Sequence, residues 1–213
     1  MMIKEEIHRL HEALPEGVTL VAVSKFHPLE ALREAYDAGQ RVFGESRAQE
    51  LQAKAPQMPP DTEWHFIGHL QTNKVRPVVA HASLIHSVDS EHLLRAIAAE
   101  ARRVGKRVDV LLQVHVALEE TKFGFLPEEL KSLLESGILT ELEDAVRVRG
   151  VMGMASNVDD PDRIRDDFRR IRECLPAGCD TVSMGMSDDW PIAVEEGATM
   201  VRIGSSIFGA REY

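Results

Sequence analysis

Lys25 is the first residue in the chain placed to do covalent chemistry. It follows Leu20-Val21-Ala22-Val23-Ser24, a short apolar run of the kind that forms a strand buried on both faces of a parallel sheet. The lysine therefore stands where the strand leaves the sheet, the edge at which parallel α/β proteins bind ligands. An amine anchored on a rigid strand and partly dehydrated has a lowered pKa and can condense with an aldehyde to a Schiff base. A solvated lysine that merely ends a strand is the plainer reading, and position alone does not separate the two.

Two turns near the C-terminus offer complementary chemistry. Ser183-Met184-Gly185-Met186-Ser187 leads into a helical pattern, and Gly204-Ser205-Ser206 opens a short last helix. Glycine lets backbone approach an anion, while hydroxyls and first-turn N–H groups supply donors. Ordinary glycine turns with serine caps are the competing explanation for either turn alone. Arg202 ends the strand before the second turn, and a guanidinium beside a pyridine nitrogen keeps that nitrogen unprotonated. An amine, a phosphate cradle and a ring partner are together what pyridoxal 5′-phosphate requires.

These residues must be positioned by strands and helices in alternation. Ile3, Ile7, Leu10 and Leu14 predict an N-terminal helix ahead of the first strand, Val18 to Ser24. Further strands are expected at 41–45, 64–68, 83–88, 108–116, 146–152, 181–184 and 199–203. Helices are expected at 28–39, 47–55, 72–80, 90–101, 127–134, 161–175 and 188–196, with Ser90 as a helix cap and Gly39 as a left-handed stop. Eight such strands in 213 residues predict an α/β fold: a (β/α)8 TIM barrel with an extra N-terminal helix, residues 1–213 forming a single pyridoxal-phosphate-binding domain. An open doubly wound sheet is the alternative.

Composition excludes several classes. A net charge of −10 leaves no excess of Lys and Arg to displace counterions from nucleic acid. Cys174 and Cys179 have no nearby histidine to complete a metal set and read as reduced thiols of a cytoplasmic protein. The N-terminus lacks the apolar stretch of a signal peptide, and no run is long enough to cross a bilayer. His65 and His69 stand four apart, but in a strand-and-turn pattern, so no metal site is expected. His86 and His115 read as hydrogen-bonded groups near strand ends, and Met152, Met154, Met184 and Met186 as adaptable fillers.

The motifs together resemble a known family. They are Val21-Ala22-Val23-Ser24-Lys25, Phe43-Gly44-Glu45, the run from His65 to Lys74, Ser183 to Asp188, and the long run from Gly197 to Gly209. The chain resembles the pyridoxal phosphate homeostasis proteins (YggS/PROSC type), whose fold is similar to the N-terminal barrel of alanine racemase. The resemblance implies that Lys25 holds the cofactor as a Schiff base, that Ser183, Gly204 and Ser205 contact the phosphate, and that Arg202 faces the pyridine nitrogen. It also implies Met184 and Ile67 as neighbours of the ring. Lys122-Phe123-Gly124 keeps part of a family motif. Ser46 stands where the family commonly has Asn, His115 where it often has Asn, and Met152-Gly153-Met154 also departs from the usual pattern.

The expected function is binding and carriage of pyridoxal phosphate in intracellular cofactor homeostasis, without catalytic residues. The expected protein is a cytoplasmic monomer in transient contact with pyridoxal-phosphate-dependent enzymes. The alternative is an amino-acid racemase of low activity, which needs a second acid/base group opposite the lysine. Only Tyr36 and Tyr213 are tyrosines here, one within a helical pattern and one the last residue. A barrel holding a phosphorylated sugar without a covalent bond is a third reading.

Overall fold

Short β-branched runs punctuated by Gly and Pro set the frame, and the computed structural model describes it over residues 2–119 and 123–209. The strands are β1 (Thr19–Val23), β2 (Val42–Glu45), β3 (Glu63–Phe66), β4 (Leu84–Val88), β5 (Val108–Gln113), β6 (Val146–Met152), β7 (Thr181–Ser183) and β8 (Met200–Ile203). Each pairs in parallel with the next, and β8 returns to β1 with Val21 beside Arg202 and Ala22 beside Ile203, which closes the barrel.

The helices are α1 (Ile3–Ala13), α2 (Leu29–Asp37), α3 (Ala48–Lys54), α4 (Val75–His81), α5 (Glu91–Arg103), α6 (Pro127–Glu135), α7 (Ile138–Glu141), α8 (Pro161–Glu173), α9 (Trp190–Glu195) and α10 (Ser205–Phe208). Local chemistry sets several of their ends. The Ser90 hydroxyl accepts the Leu93 N–H at 3.2 Å, and Asp160 caps α8 in the same way. Gly39, at φ +101°, takes the left-handed turn that ends α2.

Alternation along each strand divides the apolar residues between two cores. Outward-facing Leu20, Ala22, Phe43, Phe66, Val201 and Ile203 pack under the helices. Inward-facing Val21, Leu84, Leu111, Met152 and Met200 fill the barrel. On β8 this leaves Arg202, between Val201 and Ile203, directed into the barrel.

Two features differ from the sequence expectation. The fifth strand stops at Gln113, not at residue 116, because the Gln113 carbonyl accepts the Phe125 N–H and Phe125 returns a bond to the His115 N–H, both at 2.8 Å. That local pairing takes the chain off the ladder. The short α7 was not anticipated; it forms behind Gly137, which adopts φ +81°. Among the described residues no helix is long and apolar enough to cross a membrane.

Candidate functional site

At the C-terminal ends of the strands lies a cavity of about 300 Å³ whose wall includes Lys25, Ile67, Arg202, Gly204 and Ser205. Five of the seven residues singled out from the sequence thus meet in one place. Val23, His27, Ser46, Met154, Met186, Ser187 and Asp188 complete most of the rest of the wall. Two larger grooves, of about 530 and 620 Å³, lie on the N-terminal face and between α6 and α8. Neither touches a strand C-terminus, so the smaller cavity is the one the barrel equips for chemistry.

Lys25 is half-buried, and its two neighbours are tied to α3. Ser24 donates its hydroxyl to Glu45 Oε1 at 2.7 Å. Lys54 donates to the Ser24 carbonyl, to Glu45 and to Glu50 at 2.8–2.9 Å. Glu50 in turn accepts the Phe26 N–H at 2.8 Å. Phe26 holds φ 68°, a left-handed conformation that costs a non-glycine residue about 1–2 kcal/mol. The lysine is therefore clamped on both sides of its own backbone. Burial raises the Glu45 pKa despite the Lys54 charge. Glu50 falls below its ordinary value, because Lys54 and the Phe26 N–H outweigh the opposing effect of burial. The sequence reading missed this network; the Glu50-to-Lys54 spacing of four on a helix was its one visible signal.

Arg202 is buried. One guanidinium nitrogen donates to the Ser183 hydroxyl at 2.7 Å and another to the Gly153 carbonyl at 3.0 Å. Burial pulls its pKa down to about 10, with Asp189 opposing, so it stays charged at neutral pH. Behind it runs a polar chain: Ser183 Oγ lies 3.0 Å from His86 Nδ1, and His86 Nε2 lies 3.0 Å from His65 Nδ1. Burial lowers the pKa of His65 to about 4 and that of His86 well below its usual value.

Ser183 and Met184 do not line the cavity. Ser183 points into the barrel and meets the site through Arg202, while Met184, the next residue along the chain, faces outward into the core under the helices. Gly204 and Ser205 border the cavity at the start of α10, and the Gly204 N–H lies 3.4 Å from the Ser187 hydroxyl. A Cβ at Gly204 would come within 3.1 Å of the Val23 carbonyl oxygen and Cβ, a tight contact to which Val23 would have to yield. The turn thus presents backbone donors and two serine hydroxyls beside the amine and the guanidinium, a donor set suited to a phosphorylated aldehyde.

The remaining candidates lie elsewhere. His65 faces the barrel interior, whereas His69 is exposed, 3.0 Å from Asp89 and stacked on Phe123. Among the described residues no group of three or more His, Cys, Asp or Glu side chains could hold a metal. His115 is half-buried beyond the end of β5. Met152 belongs to the barrel core, and Met154 and Met186 line the cavity. The Tyr36 hydroxyl donates to Asp61 beyond the barrel wall. Tyr213 and Lys122 lie outside the described residues.

Residues 2–212 match the family model described as alanine racemase, N-terminal domain. The chain is 42% identical to the pyridoxal phosphate homeostasis protein of Aquifex aeolicus, over 99% of this chain and 96% of that one. It is also similar to the solved structures of PipY from Synechococcus elongatus. The form without pyridoxal phosphate is 40% identical with a TM-score of 0.91, and the form with it bound is 39% identical with a TM-score of 0.90. Each alignment covers 98% of this chain and 100% of PipY.

Proposed function

The chain belongs to the pyridoxal phosphate homeostasis proteins, within the alanine racemase N-terminal domain family, and from that membership we propose that it binds pyridoxal 5′-phosphate and serves in intracellular homeostasis and carriage of that cofactor. The observation that carries this reading is the meeting of Lys25, Arg202 and the Gly204-Ser205 turn around one cavity. Bound there, pyridoxal phosphate supplies an aldehyde that condenses with an amine, a phosphate and a ring nitrogen.

Lys25 supplies the amine, held in place by the clamp on Ser24 and Phe26. The Gly204-Ser205 turn, with Ser187 beside it, receives the phosphate. Arg202 faces the ring nitrogen and disfavours a proton there, since two adjacent positive charges repel. Ile67 packs beside the ring, and Ser183 acts by holding Arg202. An unprotonated ring is a poor electron sink, which suits holding the cofactor more than deep carbanion chemistry.

The carrier works as a cytoplasmic monomer that meets pyridoxal-phosphate-dependent enzymes transiently. Support for such contacts comes from the rim of the barrel mouth: Phe26, Leu118, Phe123, Leu126, Val158 and Met186 are exposed, and all lie in loops that follow β1, β5, β6 and β7.

Mixing the purified protein with pyridoxal phosphate, reducing with borohydride and mapping peptides by mass should place one adduct on Lys25, with Lys25→Ala losing it. No visible absorbance band, or an adduct spread over other lysines, would refute the covalent site. Exchange of the α-hydrogen of L- or D-alanine with solvent at enzymatic rates, lost in Lys25→Ala, would replace the carrier by a racemase.

A further inference from the structure

The interior of the barrel, alongside its apolar filling, contains a polar file that a packed core does not need. It runs from Arg202 through Ser183 and His86 to His65, with contacts of 2.7, 3.0 and 3.0 Å. All four residues are at most 5% exposed. His65 itself borders a second hollow of about 220 Å³ at the opposite mouth, together with Glu63, Asp109 and Arg149.

The direction of every hydrogen bond in this file follows from one end. A guanidinium has only donors, so Arg202 donates to the Ser183 oxygen. The Ser183 hydroxyl proton then goes to His86 Nδ1, the remaining polar atom within reach. His86 must therefore carry its proton on Nε2, which donates to His65 Nδ1, and His65 in turn carries its proton on Nε2. Reversing the bonds would make the Ser183 oxygen accept from both Arg202 and His86 and leave its buried hydroxyl proton without an acceptor in the file. A second positive charge on His86 would face Arg202 across one hydroxyl, and burial opposes it as well.

We propose that His86, backed by His65, is a positioning residue for Arg202: through the Ser183 hydroxyl it locks a one-way hydrogen-bond chain that fixes the guanidinium, and with it the charged donor face turned toward a ligand's ring nitrogen. The proposal rests on the pyridoxal phosphate reading for its ligand but not for its geometry. Arg202 repels a proton at the ring nitrogen, and the His86 Nε2–H points to His65, away from the guanidinium.

Two measurements test it, the first on the protein without cofactor. Long-range ¹H–¹⁵N correlation spectra, with signals assigned by loss in His65→Asn and His86→Asn, should show both rings as neutral Nε2–H tautomers at pH 7. A charged ring, or an Nδ1–H tautomer at either position, overturns the chain whether or not the protein takes up pyridoxal phosphate. The second compares loaded variants that retain the native circular dichroism spectrum. His86→Asn keeps an acceptor in the place of Nδ1 and should hold the cofactor with the native absorbance maximum. His86→Leu removes it and should release cofactor up to about tenfold faster, the upper scale of one neutral hydrogen bond, with a displaced absorbance band. Equal behaviour of the two variants would overturn the positioning role. Failure of the native protein to bind pyridoxal phosphate would reject the proposed function and leave the tautomer result standing.

Discussion

Acid should unfold this barrel through its buried imidazoles before its carboxylates are fully titrated. His65 keeps a pKa of about 4 in the folded state against an ordinary 6.5. The unfolded chain therefore binds the extra proton between those values, and stability falls as pH drops through that window. Between pH 7 and pH 5 the loss from His65 is about 2 kcal/mol, the difference between a group that becomes almost fully protonated when unfolded and one still neutral when folded. His86 acts in the same direction. Glu45 and Asp189, whose pKa values burial raises, act the opposite way, because their folded forms take up protons first. Urea unfolding at pH 7 and pH 5 should be compared between the native protein and the His65→Asn/His86→Asn double variant, which retains both carboxylates. The native midpoint should fall by roughly 1 M more than the variant's, for an m-value near 2 kcal/mol/M. Equal shifts would mean that the histidines are not neutral in the folded state, and the reasoning would fail.

Gly68→Ala should cost about 2–3 kcal/mol, read by urea unfolding, because its Cβ would lie 2.2 Å from the Ser46 carbonyl oxygen. The same change should loosen cofactor binding, since Ser46 and Ile67 border the cavity. Lys54→Met should raise the Glu45 pKa further and release the clamp on Ser24. It should thereby slow cofactor capture by Lys25 in stopped-flow absorbance, and an unchanged rate would mean that the clamp does not position the amine.

The barrel was legible because eight apolar runs, each bounded by Gly, Pro or a capping residue, fit one architecture. The direction of Arg202 was legible too: strict alternation against Val201 and Ile203 permits only the interior. The same rule bears on β7, where adjacent Ser183 and Met184 face opposite sides of the wall. The end of β5 was hidden because Val114 and Val116 continue the apolar pattern while the backbone pairs with Phe125. Ser24 and Glu45 gave no local sign of their bond, which depends on β1 and β2 lying side by side at a given register. Long-range polar pairing of this kind has no periodicity to read.

Several departures from ordinary packing rules surround the site or lead to it through the barrel. Phe26 is held left-handed, Glu45 is buried with its Oε2 unpaired, Arg202 is buried among neutral acceptors, and two imidazoles are kept neutral. A fold selected for stability alone would fill these positions with aliphatic side chains, since buried ionic groups are often replaceable by hydrophobic ones at no loss. Beside the polar file the barrel interior follows that simpler pattern, with Val21, Leu84, Leu111, Met152 and Met200 packed together. Strain and charge kept beside an apolar filling, and around the cavity that Lys25 borders, are what pre-organisation for a charged ligand requires. The clamp and the histidine chain approach that cavity from different strands, yet each holds one group still: the amine just after β1 and the guanidinium on β8. Those strands are neighbours, with Val21 beside Arg202, so both groups reach the mouth within one ligand's span only because the barrel closes there.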